Sequence, residues 1–284
     1  MVRVSGLKAV RAIMIMLGLA SIAAADANLG KRALVADQIA EIRCGATAQL
    51  PHLVGLSTLD RLPGDAPDDA PGLRELVDSH IAIGDERHRQ GDFAAALAAY
   101  QAGFAIVARA VVIDPDKTAW PRALSVIHNK IGAVRLAQRD FSGALAAYQA
   151  GLAVVERLAA ADPANTDWQR DLSYSYERNG DVRVALGDLP TALAAYQAGL
   201  AIAESLVATD PGNMRWQRDL AVSYYGMAQT AERAGRPAAA LAALHRALEV
   251  LNNMVARDMP LDPQAEGVRI WLRQMLGPQA TRAP

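Results

Sequence analysis

Between Trp168 and Gly187, in "WQRDLSYSYERNGDVRVALG", the residues Trp168, Leu172, Tyr176 and Gly180 recur every four positions, which sets them along one side of a helix. Gly187-Asp188 breaks that pattern. A second apolar stripe follows in "PTALAAYQAGLAIAESLVA", through Leu193, Tyr196, Leu200, Ala203 and Val207, with Pro190 tolerated in its first turn. It stops at Asp210-Pro211, where a helix does not continue easily. The pattern predicts two helices of about 18 to 20 residues, about 27 to 30 Å long, joined as a hairpin.

The hairpin pattern is written more than once. "ALAAYQAG" stands at residues 96–103, 144–151 and 192–199, and an eroded copy, "ALAALHRA", begins at Ala240, each start 48 residues after the last. A period of this kind is the mark of an array in which each unit buries its apolar face only against its neighbours. In register the units span 72–119, 120–167, 168–215 and 216–263. All four keep an arginine at the third position (Arg74, Arg122, Arg170, Arg218) and a leucine two residues later (Leu76, Leu124, Leu172, Leu220). The repeated Ala and Gly are expected where one helix crosses another and only a small side chain permits close approach. Tyr100, Tyr148 and Tyr196 are expected in the core. The arginines of the last three units follow an Asp-Pro by seven residues, so they are expected to fold back on that loop through Asp114, Asp162 and Asp210 or nearby carbonyls.

Gly180, Gly187, Ala192, Tyr196, Gly199 and Leu200 resemble the signature of the tetratricopeptide repeat: a small residue in the first helix, a Gly-Asp turn, then Ala, aromatic, small and Leu in the second. The first unit matches at Gly84, Gly91, Ala96, Tyr100, Gly103 and Phe104; the second at Gly132, Ala144, Tyr148, Gly151 and Leu152, with Arg139 at the turn glycine. The fourth keeps Gly235, Ala240 and Leu248 but carries Ala228, Leu244 and Ala247. Two features depart from the family. The period is 48 where about 34 is usual, as in an extended bacterial variant, and the aromatic of the first helix is replaced by Arg87, Arg135 and Arg183.

The resemblance implies an all-α solenoid of four stacked helical hairpins, a tetratricopeptide-like superhelix. Its inner groove, lined by the first helices, would take a protein or peptide segment. The ligand positions of the family fall here on Asp85, His88, Asn129, Tyr174, Glu177, Asp181, Tyr225 and Gln229. They vary between units while the frame does not, and they are expected on the open face of the first helices, where the acids would favour a basic segment.

Outside the array the pattern changes. Residues 1–25 carry Arg3, Lys8 and Arg11, then an uncharged apolar stretch from Ala12 to Ala25 and small residues suited to a signal-peptidase cut. That stretch is short for a ~30 Å hydrocarbon core, so it is read as a signal peptide for a periplasmic or secreted protein. Membrane attachment would require an uncleaved segment. Residues 26–71 do not match the repeat: Leu34, Ile39 and Ile42 suggest one helix, followed by the acidic, Pro-rich linker "DRLPGDAPDDAPG". Residues 264–284 hold "EGVRIWLRQML", whose Val268, Trp271, Leu272 and Met275 share one face, as a C-terminal capping helix would.

Composition agrees with closely packed helices, being 52% hydrophobic but only 5% aromatic. A formal charge of −1, with bases and acids interleaved, gives no footprint for nucleic acid. No Gly-rich phosphate loop, paired-carboxylate site or metal spacing stands out, so no cofactor, metal or catalytic residue is assigned. His80 and His128 occupy equivalent positions in different units and are expected to be partly buried, not to share a metal. Cys44, the only cysteine, has no disulfide partner. The reading is therefore a non-enzymatic scaffold. Its alternatives are a small hydrolase or redox protein built around Cys44 and His52, or a structural subunit of an envelope or secretion assembly.

Overall fold

The computed structural model describes residues 70–113 and 119–277. Residues 1–25, read above as a signal peptide, the segment around Cys44 and His52, the linker up to residue 69 and Asp114 lie outside the described residues, while Ala70 to Gly72 of the linker sequence open the first helix.

Helix follows helix as the apolar stripes require: α1 (Ala70–Arg89), α2 (Phe93–Ile113), α3 (Ala119–Ala137), α4 (Phe141–Ala161), α5 (Thr166–Leu186), α6 (Leu189–Thr209), α7 (Met214–Arg233), α8 (Pro237–Ala256) and α9 (Pro263–Leu276). No strand occurs among the described residues. They fall into two compact units, one holding α1–α5 and ending at Asp188, the other beginning at Leu189 and holding α6–α9. The boundary falls between the two helices of the third 48-residue repeat.

In the first unit each helix packs on the next in sequence, and the first helices α1, α3 and α5 also touch one another from hairpin to hairpin. Trp120, Ile127, Tyr100, Leu158 and Val134 are fully buried there. The outward edge of α1 is built differently. Where α3 buries Trp120, Ala123, Ile127 and Val134, the equivalent positions of α1 carry Gly72, Glu75, Ser79 and Glu86, and Glu75 and Ser79 are exposed.

In the second unit α6 packs on α7, α7 on α8 and α8 on α9. The helix α6 is long and apolar enough to cross a membrane by length and composition, but here it buries Ala192, Leu193, Tyr196, Leu200, Ala203 and Leu206 within protein. The capping helix α9 seats Ala265, Val268 and Leu272 against the cluster formed by Leu248, Leu251 and Met254. Full burial of one such aliphatic side chain contributes about 1.5–3 kcal/mol.

The four turns that follow the first helix of each repeat share one geometry, which also closes α8, where Asp258 holds φ 56° and the Met259 N–H donates to the Met254 carbonyl at 2.9 Å. Gly91, Arg139, Gly187 and Gly235 hold φ of 79°, 63°, 82° and 69°. The next residue in each (Asp92, Asp140, Asp188, Arg236) donates its N–H at 2.9 Å to the carbonyl five positions back, on Arg87, Arg135, Arg183 and Ala231. This is the Schellman closure of a helix end. In three of the turns the arginine that supplies that carbonyl also turns its guanidinium to the aspartate: Arg87–Asp92 at 4.0 Å, Arg135–Asp140 at 2.7 Å and Arg183–Asp188 at 3.1 Å. Asp92 and Asp140 in turn accept from the N–H of Ala95 and Gly143, capping α2 and α4. Through Asp92 and Asp140, Arg87 and Arg135 thus tie the end of one helix to the start of the next. The Gly143 N–H, with the Arg135 guanidinium and the Ser142 hydroxyl, holds the Asp140 carboxyl below its ordinary value against the opposing effect of burial.

Two of the arginines expected to fold back, Arg122 and Arg218, pair forward instead. Arg122 reaches forward to Asp171 of α5 at 2.7 Å, Arg218 to Asp262 at the start of α9 at 2.9 Å, and Arg74 stays on its own helix with Asp78 at 3.0 Å. The loop is held instead by the preceding residue. Gln169 Nε2 donates to the Pro163 carbonyl at 3.2 Å and Gln217 Nε2 to that of Pro211 at 3.0 Å. Asn165 and Asn213 cap the following helices through the N–H of Trp168 and Trp216, both at 3.2 Å. At Arg122 and Arg218 a carboxylate of a later helix or its cap lies within reach, and a guanidinium pairs better with a carboxylate than with a backbone carbonyl.

Candidate partner-binding face

The first helices carry the residues that differ from hairpin to hairpin, and in the first unit α1, α3 and α5 form a continuous layer. What brings them so close is small residues. A Cβ placed on Gly84 would stand 2.3 Å from the Tyr100 ring, and one on Gly132 would stand 2.7 Å from the Tyr148 ring. The tyrosines therefore lie directly on the backbone of their partner helices and are buried, as expected from the repeat. In the second unit Gly226 of α7 plays this part for Tyr196 of α6, at 2.7 Å.

Asp85 on α1 is the hub of a three-helix contact. It accepts from the Tyr100 hydroxyl of α2 at 2.6 Å and from Lys130 Nζ of α3 at 2.7 Å. Burial and this hydrogen bond both raise the Tyr100 hydroxyl above its ordinary value. Next to the hub, His88 sets its ring edge-on to Phe93 at 5.7 Å. Burial pulls its imidazole below the usual value, Asp85 opposing the shift and Lys130 adding to it.

On α5 the guanidinium of Arg178 lies 4.9 Å from the Tyr174 ring centroid and 3.0 Å from an Asp181 oxygen, an arrangement in which a cation–π contact and an ion pair fix one side chain. Burial opposes the Arg178 charge, yet Asp181, Tyr174 and Tyr148 hold it well above its ordinary value. Lys130 and Arg178 stand at one repeat position, 48 residues apart, as do Asp85 and Asp181, two repeats apart. That spacing is the signal by which these two bases could have been found in the sequence.

The eight residues expected on the open face do not share one environment. Asp85, His88, Asn129, Tyr174, Asp181 and Gln229 are half-buried. Glu177 and Tyr225 are buried, at 7% and 4% exposure, and are not open-face residues. They occupy the repeat position of Asn129. In the first unit α1 and α3 are each flanked by a partner helix and a neighbouring first helix, so only a narrow stripe of them stays open. The Tyr225 hydroxyl accepts from Gln229 Nε2 at 3.1 Å, and burial pushes it up to about 12. Nor is the face acidic in effect, since Asp85 and Asp181 each meet a base within the chain. The open stripe also includes two apolar residues that the sequence reading passed over, the half-buried Val126 and Ala133 on α3, at the repeat positions of Tyr174 and Asp181. Of the two equivalent histidines, His80 is half-buried and His128 buried, the latter edge-on to Phe104 at 5.7 Å.

No protein-family model matches the sequence. No curated protein matches it. Among solved structures the chain is similar to the crystal structure of MamA protein, at 18% identity over 66% of this chain and 99% of that one, with a TM-score of 0.34. It is also similar to the crystal structure of BtubC (BKLC) from P. vanneervenii, at 16% identity over 83% of this chain and 96% of that one, with a TM-score of 0.44. The helical-hairpin architecture rests on the chain's own helices, turns and packing.

Proposed function

We propose that this chain is an extended tetratricopeptide-like scaffold that holds a protein or peptide segment along the face of its first helices, without catalysing a reaction, and that it acts outside the cytoplasm. One observation carries the reading: α1, α3 and α5 touch in succession, and the residues along their open stripe change from hairpin to hairpin while Gly84, Gly132 and Gly180 and the Arg–Asp pairs of the turns stay constant. A layer of that kind offers each stretch of an elongated ligand a different set of groups. Tyr174 with its stacked Arg178 gives a rigid contact surface. Because the acids of the stripe are paired within the chain, the reading does not require a basic ligand. Export rests on residues 1–25 and their apolar stretch.

The face can be blocked without removing a packing group. Ala133→Arg puts a long charged side chain on the stripe of α3, and Gln149→Arg puts the same side chain on the exposed surface of α4. Both variants should keep the parent's helical circular dichroism. Affinity capture from native extract should lose its protein partner with Ala133→Arg and keep it with Gln149→Arg. Equal capture by both, or no partner for the parent, overturns the proposal.

A further inference from the structure

We draw no further inference here: the strongest candidate, the cluster of Tyr174, Arg178 and Asp181 on α5, belongs to the first-helix face already put forward for partner binding, and its charged groups are met by one another.

Discussion

Gly132 of α3 lies under the ring of Tyr148 of α4 so closely that a Cβ on the glycine would sit 2.7 Å from the ring carbons. The same contact joins Gly84 and Tyr100, so in the first two repeats "ALAAYQAG" and the glycine before it form one crossing device. The aromatic ring fills the gap that the missing side chain leaves.

The first prediction tests that device. Gly132→Ala gains helix propensity, about 1 kcal/mol in an exposed helix, but forces the buried Tyr148 ring out of its seat. Overpacking of a filled core costs about 1–3 kcal/mol, and the ring has little room to yield. Urea denaturation should show net destabilisation for Gly132→Ala, partly relieved in a Gly132→Ala, Tyr148→Leu double variant. A single variant as stable as the parent would mean the crossing is not closely packed.

The second prediction concerns the forward ion pair. Arg122 Nε and an Asp171 oxygen are 2.7 Å apart, with side-chain exposures of 25% and 23%, so the pair is shielded more than a surface salt bridge. A double-mutant cycle with Arg122→Ala and Asp171→Ala should give a coupling of about 1 kcal/mol. Replacing Asp114, in the loop before Arg122, with Ala should give no coupling to Arg122. The opposite ranking would return the arginine to the loop.

Much of this architecture was legible in the sequence because helix period and repeat period reinforce each other. Trp168, Leu172, Tyr176 and Gly180 mark a helix side, Gly187 marks its end, and both recur along the chain. Contacts between hairpins were harder to read. Arg122 and Asp171 are 49 residues apart, and nothing local distinguishes that partner from Asp114 or Asp162. The turn clamp could have been read, since Arg87, Arg135 and Arg183 each precede an aspartate by five positions, and the fourth unit loses both members together at Ala231 and Arg236. The binding face was legible only in outline. Repeat register tells which positions are equivalent, but the exposure of Asn129 against Glu177 and Tyr225 depends on side-chain size and neighbouring helices.

The third prediction uses the one turn after a first helix that lacks glycine. Arg139 holds φ 63° where the other three turns have Gly91, Gly187 and Gly235. A left-handed conformation costs a residue with a Cβ about 1–2 kcal/mol, and glycine's extra freedom in the unfolded chain returns roughly half of that. Arg139 is exposed, so little packing is lost. Arg139→Gly should therefore raise stability by about 0.5–1 kcal/mol, read as a higher denaturant midpoint with unchanged slope. The reverse change, Gly187→Arg, should lower it. Destabilisation by Arg139→Gly would show that the arginine has a further role in that turn.

The claim that the first helices form the docking face is tested most directly by photo-crosslinking at single positions. A benzophenone side chain placed at Val126 on α3 reports the open stripe, and one at Gln149 on α4 reports the opposite surface. Irradiation in native extract, followed by mass spectrometry, should attach one recurrent protein segment to the Val126 probe and leave the Gln149 probe without it. The same segment attached equally at Gln149, or none at Val126 from a protein folded like the parent, would contradict the account.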